Sequence, residues 1–241
     1  MSSPDPVAEE HAPLEAWDDA ADAWAAAVRG GTDPRRALTD RAILDLVRQV
    51  PTGPVLDLGC GEGWLARELA SRRHEVTALD GSARMIALAE AAGGKIEYGH
   101  TPFAEAGENP RKLRGAYGTI IFNFSLLDAR ITPVLAAAGA VLFPYGRILI
   151  QAAHPAAMIG DASGYRDGWR MMEEAAPGVK LIRPIPWYFR TFTTWVLELR
   201  RAGLLLVETY EPLDPETGRP VSLLLHVTIP ERRPKRSAEP R

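Results

Sequence analysis

Residues 55–64 read VLDLGCGEGW, and this strip constrains the fold more than any other part of the chain. The apolar run that begins at Pro54 ends in three glycines at alternate positions, Gly59, Gly61 and Gly63. The helical pattern WLARELASRR (64–73) follows at once. A buried strand that turns through glycines straight into a helix is the opening of a βαβ unit. The middle of the chain keeps that alternation. EVTALD (75–80), KIEYG (95–99), GTIIFNF (118–124) and GRILIQAA (146–153) read as strands, with ARMIALAEAA (83–92) and TPVLAAAGAVL (132–142) as helices between them. The alternation predicts a parallel sheet covered on both faces, with right-handed crossovers.

Two helices precede this unit. In PLEAWDDAADAWAAAVRGG, Leu14, Trp17, Ala21, Trp24 and Val28 recur at three- and four-residue spacing and share one face. ALTDRAILDLVRQV forms the second and stops before Pro51. After the last strand of the alternation the pattern breaks. Residues 155–190 are rich in Gly and Pro and carry Tyr165, Trp169, Trp187, Tyr188 and Phe189, which predicts a lid over a substrate. TFTTWVLELRRAG resumes a helix. LLLVETYEP (204–212) and SLLLHVTIP (222–230), joined by the turn-like DPETGRP, read as an antiparallel pair. The 241 residues thus make one domain, with 1–12 and 231–241 expected to be flexible.

Composition narrows the function classes. A net charge of −3 disfavours a general nucleic-acid binder. The one cysteine, Cys60, excludes an internal disulfide and any multi-cysteine zinc site, and no His and carboxylate cluster has metal spacing. No apolar run is long enough to cross a membrane and the N-terminus has no apolar signal core, so a soluble cytoplasmic protein is expected. Monomer or weak homodimer is the expected state.

The glycine loop stands where open parallel sheets bind ligands, beyond the carboxyl ends of their strands. The helix that follows offers free N–H groups and a positive dipole end. A dinucleotide loop requires G-x-G-x-x-G, but Trp64 occupies the place of its last glycine. No Lys-Ser/Thr follows, so the loop is not a phosphate-binding P-loop either. Asp57 lies two residues before the first glycine. Asp80 ends the second strand, nineteen residues after Gly61, where a carboxylate accepts hydrogen bonds from ribose hydroxyls.

V-L-D-L-G-C-G-E-G followed by V-T-A-L-D resembles the class I S-adenosylmethionine-dependent methyltransferases. The likeness covers residues 40–155 at least, and W-D-D-A-A-D-A-W ahead of it is similar to their small-molecule branch. The resemblance implies a Rossmann-like, doubly wound α/β fold: a seven-stranded sheet in the order 3-2-1-4-5-7-6, strand 7 antiparallel, here with N-terminal helices and an insertion after strand 5. It implies S-adenosyl-L-methionine as cofactor and S-adenosyl-L-homocysteine as product. Asp57, Gly59 and Gly61 match positions around the methionine part and ribose, Asp80 the carboxylate on the ribose hydroxyls, and Gly81 and Met85 positions near the adenine. Asn123 and its neighbour Phe124 match the methionine end. Where the family often has an Asp after strand three, against the adenine amine, this chain has His100 or Thr101. Gly118 replaces another frequent Asp at the start of strand four.

The resemblance implies methyl transfer to an oxygen, nitrogen or carbon nucleophile of a small molecule. A non-catalytic cofactor-binding regulator and an RNA methyltransferase are the alternatives, the latter disfavoured by charge and by the lack of an Asn/Asp-Pro-Pro-aromatic signature after strand four. The substrate site should come from what departs from the sheet core. Its candidates are Trp17 and Trp24, which read as core first and as site second, with Tyr165, Trp169, Trp187 and Tyr188, which serve equally to pack a lid on its own domain, and Arg190. Arg183 flanks the same cluster. His154, directly after strand five, is the candidate general base, or else holds a loop carbonyl. Cys60 reads as a small filler or a reactive thiol.

Overall fold

The computed structural model of the chain describes residues 14–31, 33–50, 53–158 and 164–230. The two termini expected to be flexible and residues 159–163 of the insertion lie outside these. The elements run α1 (Leu14–Gly30), α2 (Pro34–Val47), β1 (Pro54–Leu58), α3 (Trp64–Ser71), β2 (Glu75–Asp80), α4 (Ala83–Ala91), β3 (Glu97–His100), α5 (Phe103–Glu108), β4 (Tyr117–Asn123), α6 (Thr132–Ala140) and β5 (Leu142–Ala152). A hairpin follows, β6 (Gly168–Ala176) and β7 (Val179–Phe189), then α7 (Phe192–Arg201), β8 (Leu205–Tyr210) and β9 (Leu223–Thr228).

Seven strands form one sheet in the order β3-β2-β1-β4-β5-β9-β8. The first five are parallel, and β9 runs antiparallel between β5 and β8. Numbered without the hairpin this is 3-2-1-4-5-7-6, as expected. The central strands are buried on both faces, so they read as continuous apolar runs. On one face Ile43 of α2, Leu65 and Leu69 of α3 and Ile86 of α4 pack on Val55, Ile121 and Leu149. On the other, Ala106 of α5, Leu135 of α6 and Leu199 of α7 pack on Leu56, Ile120 and Ile150.

The insertion differs from the expected lid loop in being largely a two-stranded antiparallel sheet. Its sequence hides this because β7, VKLIRPIPWYF, contains Pro184 and Pro186, which argue against a central strand. In a two-stranded hairpin each strand has a free edge. Residues two apart direct their N–H groups to the same side, so both prolines are accommodated on that edge. Tyr188, next in the same series, uses its outward N–H to bond the Leu127 carbonyl at 2.7 Å in the loop after β4. The hairpin is also packed on α1, where Ala16 and Ala20 meet Leu181 and Ile185. The short helix α5 was also not legible, since FAEAGE has neither length nor an apolar stripe.

Candidate active site

A cavity of about 680 Å³ opens at the carboxyl ends of β1, β2, β4 and β5 and extends under α1 and the hairpin. Its floor is the glycine loop. Gly59, Gly61 and Gly63 take left-handed φ angles of 81°, 56° and 81°. The Gly59 and Cys60 amides donate to the Leu79 carbonyl of β2 at 2.7 and 3.1 Å, which pins the loop to the sheet.

Two carboxylates flank the loop. Asp80 accepts the Gly61 amide on one oxygen and the Ser82 amide on the other, each at 2.8 Å. A carboxylate offers about four lone-pair sites, so two remain after its orientation has been set. Burial raises its pKa, which those two amides oppose. Asp57 is 1% exposed, and neither of its oxygens meets a donor at hydrogen-bonding geometry among the described residues. Burial and the nearby Asp80 charge push its carboxyl up to about 7, with the Ala66 amide opposing from outside that geometry. The same environment raises the Cys60 thiol, which keeps it protonated and makes it filler in the turn.

Glu62, which the sequence reading passed over, is the loop's tether. Its buried carboxylate receives Arg67 at 2.8 and 3.0 Å and Arg29 of α1 at 3.1 Å. Asp18 of α1 accepts the Ser82 hydroxyl at 2.5 Å, and Asp22 pairs with Arg84 at 2.7 Å. These contacts hold α1 over the glycine loop and the start of α4. A charged residue between bare glycines was the available signal for Glu62.

Gly81, Met85, Asn123 and Phe124 all line the cavity. Phe124 does so with a positive φ of 53°, strained for a residue with a Cβ. His100 and Thr101 do not line it. The His100 ring bonds the Gly81 carbonyl at 2.9 Å, and Thr101 turns its hydroxyl onto the His100 carbonyl. Pro102, Phe103 and Ala104 form that wall instead.

Trp17 and Trp24 of the same helix meet edge to face, 5.3 Å between centroids, and both line the cavity with Trp187, Tyr188 and Arg190. Arg190 is buried, donates to the Leu126 and Asp128 carbonyls, and lies over the Tyr188 and Trp195 rings. Burial pulls its pKa down to about 10, so it stays cationic at neutral pH. It ties the hairpin to the loop after β4. Tyr165 and Trp169 stand outside the cavity lining: the Tyr165 hydroxyl accepts the Phe192 amide at 3.0 Å, and Trp169 packs on Tyr188. Arg183 pairs with Asp19 of α1 at 2.9 Å.

His154 is also outside the lining. Its Nδ1 accepts the Ala156 amide at 3.0 Å and its Nε2 faces the Glu211 carboxylate at 2.8 Å, because Pro155 turns the chain away from the ligand edge. Both nitrogens are engaged, so His154→Ala is expected to lower the melting temperature while leaving turnover within a few-fold. A loss of roughly 10² or more in turnover, as removal of a general base produces, would restore it to the chemistry.

The sheet order, the loop and the two carboxylates describe a recognisable kind of site. A methyltransferase domain family matches residues 55–146, the stretch from β1 to the middle of β5. Residues 55–146 form a methyltransferase domain. Solved structures agree in fold. The methyltransferase CcbJ from Streptomyces caelestis superposes with a TM-score of 0.65 at 19% identity, over 89% of this chain and 97% of its own. An S-adenosylmethionine-dependent methyltransferase from Mesorhizobium loti gives 0.55 at 22%, over 74% and 92%. The glycopeptide N-methyltransferase MtfA, whose structure holds S-adenosylmethionine, gives 0.56 at 20%, over 80% and 94%. No curated protein sequence matches the chain. No helix among the described residues is long and apolar enough to cross a membrane.

The residues present fit the cofactor of such a domain, S-adenosylmethionine. The orphaned Asp57 oxygens and the orphaned Asn123 Oδ1 await donors. Asp80 is oriented and has lone pairs to spare. A Cβ on Gly61 would meet nothing within 4 Å, so the loop leaves open space above it.

Proposed function

We propose that this methyltransferase transfers a methyl group from S-adenosylmethionine to a small-molecule acceptor. The observation that carries the reading is the continuity of the cavity, from the glycine loop to an aromatic wall, beneath a roof of α1 and the hairpin. Its volume falls in the range of roughly 300–1,000 Å³ typical of small-molecule sites. A nucleic acid would need an open, basic groove. Here the described lining residues carry seven carboxylates (Asp33, Asp40, Asp57, Glu62, Asp80, Asp128 and Glu174) against Arg35, Arg36 and Arg190.

When bound, the cofactor supplies a methyl group made electrophilic by a sulfonium. Asp80 would hold the ribose hydroxyls, Asp57 and Asn123 the amino group of the methionine part, and Met85 with Gly81 the adenine side. The indoles and Phe124 would exclude water and orient the acceptor, since such transfer depends chiefly on near-attack positioning. The β6–β7 hairpin would act as the roof of the acceptor site, held by Tyr188 and Arg190 at the base of β7 and by Leu181 and Ile185 against α1.

Calorimetric titration with S-adenosylmethionine and a nicotinamide dinucleotide, followed by methyl-release assays over a metabolite panel, tests the reading. Saturable binding of the dinucleotide alone would end it. Asp80→Ala is expected to weaken S-adenosylhomocysteine binding about ten- to a hundredfold, since a hydrogen bond to a charged group contributes roughly 1.5–3 kcal/mol. An unchanged dissociation constant in a folded variant places the ribose elsewhere.

A further inference from the structure

Asp57, Asn123 and Gln151 form a row across the ends of β1, β4 and β5. Asp57 is in register with Ile121, two residues before Asn123, and Asn123 is in register with Gln151. Register partners share a face of the sheet, as do residues two apart, so all three side chains stand on one side. Each presents acceptor oxygens without a partner: both of Asp57, Oδ1 of Asn123 and Oε1 of Gln151. Buried acceptors are normally met, so a row of them on a cavity wall is matched to a ligand that brings donors. The cofactor reading uses Asp57 and Asn123. It leaves Gln151 over.

Gln151 is 1% exposed and lines the cavity. Its Nε2 donates to the Thr39 carbonyl at 3.1 Å and to the Ser222 hydroxyl at 2.9 Å. A carbonyl only accepts, so the amide cannot be reversed and Oε1 is the free atom. Asp40, next in the chain to Thr39, lines the same wall. Asp40 is paired with Arg36 at 3.2 Å, and the indoles of Trp17, Trp24 and Trp187 line the same cavity, where an aromatic ring attracts a cation.

Building on the methyl-transfer reading, we infer that the acceptor is an amine, held by an N–H on Gln151 Oε1 with its carbon skeleton against the indoles. A primary amine has two N–H donors, and as an ammonium three and a positive charge; an alcohol of the same shape has one donor and no charge. The bound ammonium first releases a proton to water. The nitrogen lone pair then forms the N–C bond as the methyl carbon leaves sulfur, which keeps the bonding pair. Gln151 orients the nitrogen and takes no proton.

The test compares 2-phenylethylamine with 2-phenylethanol on the full chain saturated with S-adenosylhomocysteine, by calorimetry, and with S-adenosylmethionine, by mass spectrometry of the products. The amine is expected to bind at least about tenfold more tightly than the alcohol, and to be the one that gains a methyl group. Gln151→Met, close in shape, is expected to remove most of that preference and leave S-adenosylhomocysteine affinity unchanged. Should that variant fail to fold, Ser222→Ala, which frees one tether of the amide, is expected to reduce the preference in part. Equal or better binding of the alcohol, failure of both probes to bind, or a preference that survives the substitutions overturns the inference. Failure to bind S-adenosylhomocysteine at all overturns the methyl-transfer reading instead.

Discussion

Gly59→Ala is expected to abolish stable folding, whereas Gly61→Ala, two residues on, is expected to fold and fail to bind the cofactor. A Cβ at Gly59 would lie 2.2 Å from Ser125 Cβ, 2.7 Å from its Oγ and 3.2 Å from Phe103 Cζ. Ser125 cannot retreat cheaply, since its hydroxyl donates to the Leu58 carbonyl at 2.8 Å and its Cβ follows the backbone. The left-handed φ adds roughly 1–2 kcal/mol and overpacking about 1–3 kcal/mol or more. Together these approach the lower end of the 5–15 kcal/mol by which domains are stable, roughly speaking. At Gly61 the same φ penalty applies, but no atom lies within 4 Å of the added methyl. The methyl would stand in the cavity. Urea midpoints and S-adenosylhomocysteine titrations separate the two effects. Ser125→Gly is expected to rescue Gly59→Ala in part. A Gly59→Ala protein of parental stability, or a Gly61→Ala protein of parental affinity, would show that the loop is looser than its contacts indicate.

The sheet was legible because its strands are buried on both faces. Val55–Leu58, Val76–Leu79 and Ile120–Phe122 are buried and apolar apart from Asp57 and Thr77, and helices must lie between them for parallel strands to connect. The cofactor end was legible for a related reason: glycines, a strand-end carboxylate and a helix start occupy consecutive or fixed positions along the chain. The density of aromatics marked Trp187 and Tyr188, but nothing local showed how that wall is held. The two prolines of β7 concealed a strand whose free edge accommodates them, and the partners of Arg183 and Arg190 lie far away in the sequence, at Asp19 and in the loop after β4. His154 sits at the right strand end, but its direction is set by Pro155 and Glu211, and a one-dimensional pattern carries no directions. Gln151 was the one polar residue in an apolar run, and only the contacts of its amide nitrogen reveal which atom is free.

Asp57→Asn is expected to stabilise the ligand-free protein at alkaline pH while weakening its hold on the cofactor. The folded carboxyl is raised to about 7 from an ordinary value of 3.8. Between those values the folded state keeps a proton that the unfolded chain has released. Stability is therefore greatest below about pH 4 as far as this group is concerned, and falls as pH rises through 7. Three pH units correspond to about 4 kcal/mol at most. Asp80, raised by burial, and Asp40, raised to about 6, act in the same sense. Asp22, Glu208 and Asp214 are lowered and act in the opposite sense, but they are solvent-exposed and screened. Urea unfolding at pH 5 and pH 8 should show a smaller difference for the variant than for the parent. A cationic ligand favours the ionised carboxyl, so binding of S-adenosylmethionine near pH 6.5 should release a proton in the parent and not in the variant, read from calorimetry in buffers of different ionisation enthalpy. Equal pH slopes and equal proton release in the two proteins would mean that Asp57 is already ionised and paired before the cofactor arrives. The orphaned row at the strand ends would then begin at Asn123.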